Sequence, residues 1–222
     1  MEEEINAIKE YLTVTKETKI YELTFIEGLI SDKECVIVEG GVGKVNAART
    51  AQILIDNFKI DYLLNVGVAG GIDESLNVGD IVIGQRLVQH DFDITAFDNK
   101  KGYIPNIGDY INADEELVNL ANKVIKNTEN THVKTGTIAS GDIFITDQNI
   151  SKEINKEFDA LCVEMEGASI AQVAKLCNIP FLILRSISDV PNNNNKVTYE
   201  EFLEESTKII AKVVNNLLKE LN

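Results

Sequence analysis

Two glutamates lie two residues apart in the segment VEMEGA (163–168), between an apolar strand-like run and a helix-like run of small residues. Burying a carboxylate without a partner is costly, so the context of Glu164 and Glu166 indicates that at least one of them binds something. Acidic residues also complement the positive end of a helix dipole. The residue types alone are compatible with a ligand-binding role and with a purely structural one.

A second group of charged residues closes the apolar run PFLIL, in the segment RSISD (185–189). If the run is a buried strand, Arg185 and Asp189 lie near its carboxyl end, where α/β sheets bind ligands. An arginine at that edge could clamp a charge, and an aspartic acid could donate a proton. A structural ion pair is the alternative for the same two residues.

Two glycine-rich segments follow strand-like runs, EGGVGK (39–44) and NVGVAGG (65–71). Glycine permits positive φ and close approach to the backbone, and the start of the helix after the first segment could face a polar or anionic ligand. The first segment does not match GxxxxGK[ST], so it does not indicate a nucleoside triphosphate. Tight turns and a crowded backbone crossing are the structural alternatives.

Composition excludes several classes of partner. The chain of 222 residues has 36 acidic and 21 basic side chains, a formal net charge of −15, whereas nucleic acids and anionic membranes require clustered cations. No apolar stretch approaches the roughly 20 residues of a membrane-spanning helix. The three cysteines lie in apolar runs, typical of thiols in a reducing cytoplasm, and two distant histidines do not indicate zinc. We expect a cytoplasmic protein that binds no metal or cofactor, with small molecules or proteins as partners.

Hydrophobic periodicity predicts the elements that must position these motifs. Apolar runs bounded by glycine predict strands at 35–38, 62–68, 80–84, 133–140 and 180–186, and helical spacing predicts helices at 45–58, 114–126, 166–178 and 202–221. Helices between strands indicate crossovers that cover a largely parallel sheet. We therefore expect a doubly wound α/β fold in a single domain (1–222), with a polar loop at 191–196.

Eight segments, taken in order, resemble the 5′-methylthioadenosine/S-adenosylhomocysteine nucleosidases of the purine nucleoside phosphorylase superfamily: MEEE, GGVGKVNAA, NVGVAGG, VGDIV, HDFDITAF, SGDIFI, VEMEGASIA and RSISDV. The resemblance runs from the first residue to the final helix. It implies a three-layer αβα domain with a mixed, largely parallel sheet. It also implies hydrolysis of the N-glycosidic bond of 5′-methylthioadenosine, S-adenosylhomocysteine and 5′-deoxyadenosine, without a cofactor and in the service of methionine salvage.

The resemblance assigns the two chemical steps to two carboxyl groups. Adenine leaves an oxocarbenium-like ribose, so one group must activate water and another must protonate the purine. Glu4, the last glutamate of MEEE, would activate the water. Asp189 would protonate adenine N7, and burial would keep its carboxyl protonated for this purpose.

The resemblance also implies the substrate contacts. Glu166 would bind the ribose hydroxyls beside the Met165 backbone, and Arg185 would position the water and the carboxylates. Phe144 would stack on adenine while the Ile145 backbone reads its N1/N6 edge. Further residues near the nucleoside would be Val68, Gly70 and Ser188, and an apolar slot for the 5′-alkylthio arm would be formed by Ile94, Phe97, Pro105 and Tyr199. Family members are homodimers in which the partner completes this slot.

Two positions and one segment depart from the family pattern. Val68 stands where many members have serine, and Tyr199 stands where phenylalanine is common. Members also usually carry a strand of the type KIGIIGA immediately before MEEE, whereas this sequence starts at Met1. Such a strand would be interior, so its absence would expose ladder groups at the sheet centre. We then expect Glu4 to lie on a frayed terminus.

Three alternatives to this nucleosidase activity remain. A nucleoside phosphorylase would need a cationic phosphate cradle, and the sequence has only three arginines, Arg49, Arg86 and Arg185. A futalosine nucleosidase could share the same acid and base. A non-catalytic nucleoside-binding relative is the third, although such a protein has no need of both an acid and a water-activating base.

Overall fold

The computed structural model describes residues 2–128, 132–190 and 195–221. Within these ranges the elements follow in the order α1 (Glu2–Lys9), β1 (Thr13–Ile20), β2 (Leu23–Ile30), β3 (Lys33–Ile37), α2 (Lys44–Asn57), β4 (Leu63–Gly71), β5 (Ile81–Gln89), a 3₁₀ turn (Thr95–Phe97), β6 (Ile111–Asn112), α3 (Glu115–Lys126), β7 (Val133–Ser140), α4 (Gln148–Phe158), β8 (Ala160–Glu164), α5 (Gly167–Leu176), β9 (Phe181–Asp189) and α6 (Asn195–Glu220). None of the helices in these ranges has the length and apolar character needed to cross a membrane.

The strands form two sheets. β1, β2 and β3 form an antiparallel meander, and the larger sheet has the order β6-β5-β7-β8-β4-β9. Its longest ladders, β4 with β9 and β5 with β7, are parallel. β5 also pairs with β9 in antiparallel fashion, so the larger sheet closes on itself. The mixed and largely parallel sheet is confirmed, whereas its closure was not predicted.

Alternate residues of the sheet strands enter two separate cores, because successive side chains of a strand point to opposite faces. Ile81 and Ile83 of β5 pack with α3 and α6, whereas Val82 packs with α2 and α5. Leu182 and Ile183 of β9 divide between the same two cores. The sheet is therefore covered by helices on both faces, which confirms the three-layer α/β architecture.

Several elements differ from the sequence-based prediction. The run 35–38 lies in the antiparallel meander and not in the parallel sheet. The final helix begins at Asn195, well before 202, and the predicted polar loop lies largely outside the described residues. The strands β1, β2 and β6 and the helices α1 and α4 were not predicted. β8 was expected only as an apolar strand-like run before the VEMEGA glutamates, without bounds. The sequence of β1, TVTKETKI, shows the reason: most of its side chains are exposed, so no apolar pattern marks it.

The topology brings the ends of three strands together. β4 and β9 run parallel, and Gly70 pairs with Asp189 at their carboxyl ends. β8 is antiparallel to β4 and pairs with it only through the last two residues of β4, where Gly70 pairs with Val163. The ends of β4, β8 and β9 therefore converge, and the motifs 65–71, 163–168 and 185–189 meet there.

Candidate active site

A cavity of about 460 Å³ lies at these converging strand ends, which is the size of an ordinary small-molecule site. One end is polar, and the other is an apolar groove between β3 and β4 that Ile30, Ile37, Leu64 and Val66 help to line. Most of the predicted site residues line the cavity: Glu4, Val68, Gly70, Phe144, Ile145, Met165, Glu166, Arg185, Ser188 and Asp189. Motifs far apart in the sequence thus contribute to one site.

The predicted slot for the 5′ substituent is not assembled around this cavity. Ile94, Phe97 and Pro105 are absent from its lining, and Phe97 is 77% exposed on the 3₁₀ turn. Tyr199 lies outside the residues whose side chains are described. The assignment of these four residues therefore stays a prediction.

Glu164, which the sequence analysis left without a role in the site, forms a buried ion pair with Arg185. The distance from Arg185 Nη2 to Glu164 Oε2 is 2.5 Å, and each side chain is 2% exposed. Arg185 also donates hydrogen bonds to the side-chain oxygen of Asn65 (2.5 Å) and to the carbonyl oxygen of Leu184 (3.0 Å). The ion pair consequently fixes the guanidinium at the cavity wall.

The same Glu164 carboxylate caps helix α5. It accepts hydrogen bonds from the backbone N–H groups of Glu166 (3.0 Å) and Gly167 (2.6 Å) and from the hydroxyl of Ser140. Burial opposes ionisation, but the charge of Arg185 and these donors outweigh it and lower the pKa of Glu164. Of the two glutamates in VEMEGA, Glu164 therefore performs the structural role and leaves Glu166 available to the cavity. The i, i+2 spacing across a strand end was the only signal of this division in the sequence.

Replacement of Glu164 by glutamine should lower the free energy of unfolding by about 3 kcal/mol, because Arg185 would keep its charge without a buried counter-ion. Denaturant unfolding monitored by circular dichroism measures this loss. Glu220→Gln is the matched control, since its pair with Lys123 is half exposed and should contribute below ~1 kcal/mol. Equal stability of the two variants would contradict a requirement for the Glu164 charge.

Glu166 faces the cavity at the start of α5. Its Oε1 accepts a hydrogen bond from the backbone N–H of Gly43 (3.0 Å), in the glycine turn before α2. Burial and then the negative charge of Glu164 raise the pKa of Glu166. Gly43 has φ of 90°, a conformation in which a side chain would be strained. The glycine turn therefore presents a backbone donor to a carboxylate, and not to an anionic ligand.

Glu4 reaches the cavity from α1. Ala7 and Ile8 lie on the same face of this helix, three and four residues on, and they pack against Val214 and Leu218 of α6. The Oε1 atom of Glu4 accepts a hydrogen bond from the backbone N–H of Val68 (3.2 Å). The expectation of a frayed Glu4 is therefore wrong, because helix packing and a backbone donor hold it.

A glycine makes the approach of Glu4 possible. A Cβ atom on Gly67 would lie 2.7 Å from Glu4 Oε1 and 3.5 Å from Arg185 Nη1. The first separation is shorter than two nonbonded heavy atoms tolerate, so a side chain here would displace the carboxylate. The small residues of NVGVAGG thus leave space for the carboxylate of Glu4 as well as for a ligand.

Asp189 lies at the carboxyl end of β9 and is 2% exposed. The Ser188 hydroxyl donates a hydrogen bond to its Oδ1 (2.9 Å). A Cβ atom on Gly70 would lie 3.4 Å from Asp189 Oδ2. Glu4 and Asp189 therefore flank β4 at Gly67 and Gly70, which are separated by a rise of roughly 10 Å along the strand.

The loop after β7 supplies aromatic and apolar surface to the same cavity. Phe144 is 47% exposed and Ile145 is 5% exposed, and both line it. An exposed ring at a cavity wall can stack on a flat heterocycle. The site therefore combines a flat aromatic surface with carboxyl groups at two separate positions. These groups could perform acid–base chemistry on a glycoside whose leaving group is a flat heterocycle.

Comparisons with known proteins agree with this chemistry. Residues 1–221 match the model of the phosphorylase superfamily. The 5′-methylthioadenosine/S-adenosylhomocysteine nucleosidase of Staphylococcus carnosus is 41% identical over 100% of this chain and 97% of its own length. The nucleosidase of that name from Neisseria meningitidis was solved with methylthio-immucillin-A. It superposes with a TM-score of 0.96 at 35% identity, over 100% of this chain and 96% of its own chain. Futalosine hydrolase of Helicobacter pylori superposes with a TM-score of 0.95 at 35% identity, over 100% of this chain and 95% of its own chain.

Proposed function

This chain belongs to the phosphorylase superfamily and, within it, to the 5′-methylthioadenosine/S-adenosylhomocysteine nucleosidases, and we propose that it divides the hydrolysis between Glu4 and Asp189. It is a hydrolase of N-glycosyl bonds that acts on adenine nucleosides. The observation that carries the division of labour is the position of the two carboxyl groups, beside Gly67 and Gly70 of β4 in one cavity.

In this mechanism the nucleoside lies between the two groups. Glu4 accepts a proton from water as the water oxygen bonds to C1′ of the ribose. Asp189 gives its proton to adenine N7 as the bond from C1′ to N9 breaks, so adenine leaves as a neutral molecule. Glu4 and Asp189 contact β4 at glycines that are three residues apart, so the two carboxyl groups lie at separate positions in the cavity. Separate positions are what a base that activates water and an acid that protonates the leaving group require.

The arginines favour water over phosphate as the nucleophile. Arg49 pairs with Glu22 and Arg86 pairs with Asp159 at the protein surface. Within the described residues Arg185 is the only basic side chain in the cavity lining, and its charge is matched by Glu164. A phosphate dianion needs unmatched cations, so this cavity suits hydrolysis and not phosphorolysis.

The test of the proposed function is adenine release from 5′-methylthioadenosine by purified protein, with and without inorganic phosphate. We expect equal rates under the two conditions and 5-methylthioribose as the second product. Dependence on phosphate would identify a phosphorylase, and binding without release would identify a non-catalytic relative. Futalosine supplied as the only nucleoside should be cleaved more slowly than 5′-methylthioadenosine. Faster cleavage of futalosine would show that it, and not 5′-methylthioadenosine, is the substrate.

We propose that Glu166 binds the ribose hydroxyls and that its raised pKa limits binding in acid. The carboxylate is the form that accepts hydrogen bonds from a diol, and protonation of Glu166 begins at higher pH than for an ordinary glutamate with a pKa of 4.5. Affinity should therefore fall as the pH decreases through the raised pKa. The measurement is the Kd of 5′-methylthiotubercidin, which has carbon in place of N7 and is not hydrolysed, against pH.

Glu166→Gln is the control for that pH dependence. Protonation of the ligand itself affects both proteins equally, so any difference between the two curves of Kd against pH arises from ionisation of Glu166. We expect weaker binding by the variant at neutral pH and no additional loss in acid beyond that of the ligand itself. Parallel curves for the two proteins would contradict the proposed role.

We further propose that the slot for the 5′ substituent is completed in a homodimer, which would explain why Ile94, Phe97 and Pro105 do not line the cavity of one chain. Exposed apolar side chains support this proposal: Val42 and Val45 at the glycine turn, Ile143 and Phe144 in the loop after β7, and Phe97 on the 3₁₀ turn. Sedimentation equilibrium at micromolar concentration should report twice the mass of the chain. We also propose that this enzyme acts in the cytoplasm, where free thiols such as those of Cys35, Cys162 and Cys177 persist. Its proposed substrate places it in methionine salvage.

A further inference from the structure

Three loops meet beside the cavity and are joined by one ion pair. They are the glycine turn that ends at Lys44, the end of β5 that continues into Asp91, and the loop after β7 that contains Asp142. Lys44 Nζ lies 2.5 Å from Asp91 Oδ1. The two side chains are 17% and 21% exposed, so water screens this pair less than it screens the surface pairs.

Hydrogen bonds around the ion pair close a ring. The second oxygen of Asp91, Oδ2, accepts from the backbone N–H of Asp142 (2.9 Å), and Asp142 Oδ1 accepts from the backbone N–H of Lys44 (2.8 Å). Lys44 Nζ also donates to Gln89 Oε1 (3.2 Å), and Gln89 in turn donates to Gln172 of α5 (2.8 Å). Burial opposes ionisation of Asp91, but the hydrogen bonds from Lys44 and Asp142 lower its pKa.

Two of the three loops in the ring adjoin parts of the proposed nucleoside site. Gly43, next to Lys44, donates its backbone N–H to Glu166 at 3.0 Å. Phe144 follows Asp142 by two residues and lines the cavity. The ring therefore connects the glycine turn that holds the ribose carboxylate with the loop that carries the adenine-stacking ring.

We propose that Lys44 and Asp91 are positioning residues, which lock the glycine turn and the Phe144 loop in the arrangement that binds the nucleoside. Neither lines the cavity, so the pair acts through Gly43 and Phe144. The proposal rests on the assignment of Glu166 and Phe144 to ribose and adenine. It predicts that loss of the pair weakens binding of the nucleoside and leaves the chemical step, which belongs to Glu4 and Asp189, almost unchanged.

The experiment compares Asp91→Asn, Lys44→Met and the double variant with the wild type. Asparagine preserves the shape of the side chain and one acceptor oxygen, and methionine preserves the length of the lysine chain. We expect each single variant to raise the Kd of 5′-methylthiotubercidin and the KM for 5′-methylthioadenosine about tenfold, with kcat within about twofold. The double variant should be no weaker than the single ones, because the two residues act as one unit.

Lys123→Met is the matched control, because it breaks an ion pair with Glu220 on α6 and neither of these two residues lines the cavity. Its Kd and KM should equal those of the wild type. A lower unfolding midpoint in the Lys44 and Asp91 variants with unchanged Kd and KM would show a merely structural pair and overturn the proposal. A fall in kcat with unchanged KM would also overturn it. Binding of 5′-methylthiotubercidin needs no turnover, so the proposal can be tested even if the wild type releases no adenine.

Discussion

We expect the Asp189→Asn variant to fold, to bind 5′-methylthioadenosine and to release adenine about 10³-fold more slowly than the wild type, because it loses the general acid. Asparagine has nearly the volume of aspartic acid, and the Ser188 hydroxyl that donates to Asp189 can donate equally to its amide oxygen. What the variant loses is the proton for N7. Single-turnover adenine release, together with the Kd of 5′-methylthiotubercidin, separates the chemical step from binding.

A change of leaving group tests the acid role directly. A 5-methylthioribose derivative that carries a 4-nitrophenoxy group at C1′ needs no general acid, because this group leaves as the stable 4-nitrophenolate anion. The Asp189→Asn variant should therefore cleave this compound at a rate close to that of the wild type. An equal loss of rate on both substrates would show that Asp189 acts in some other way than as a proton donor.

The Glu4→Gln variant should lose adenine release by a similar factor, about 10²–10⁴-fold, for a different reason. The amide cannot accept a proton from water, although it can still accept the hydrogen bond from the Val68 N–H. The nitrophenolate derivative should not restore the rate, because departure of the leaving group is not what the variant has lost. The initial rate of release of each leaving group measures both effects.

Two further variants sharpen this second prediction. Glu3→Gln is the matched control, since Glu3 is the exposed neighbour of Glu4 on α1, and it should be as active as the wild type. In Glu4→Ala, azide can replace water because it needs no base, so millimolar azide should restore adenine release and yield a ribosyl azide. Azide should not restore the Asp189→Asn variant. Normal activity of Glu4→Gln would assign water activation to another group.

The fold was accessible from sequence wherever a segment has one regular apolar pattern. β7 was predicted with the bounds that it has, 133–140, and the run that forms β9 was recognised from its apolar residues. β1 was missed because its side chains are mostly exposed. The apolar run that forms β8 was recognised before Glu164, but without bounds. Closure of the sheet by β5 and β9 depends on how the strands twist and pack, to which periodicity along the chain is insensitive.

The candidate site was likewise predictable from sequence only in part. The segments VEMEGA and RSISD indicated a polar site by placing charge in apolar surroundings, and the family resemblance supplied individual roles for Glu4, Glu166 and Asp189. Neither distinguished Glu164 as the cap of α5 and the counter-ion of Arg185. That distinction depends on Ser140 and Arg185, which lie 24 and 21 residues from Glu164 along the chain.

The sequence by itself determined the family and those local elements that have a regular apolar pattern, because both are encoded in short stretches of chain. Only the tertiary structure decided which carboxylate faces the cavity, which glycine clears space for Glu4, and that Lys44 and Asp91 join the two substrate-binding loops. Gly43 and Glu166, for example, are 123 residues apart in sequence and share a hydrogen bond. Such contacts require a correct packing of strand ends and helix starts, since a hydrogen bond forms only within a few tenths of an ångström of its preferred distance.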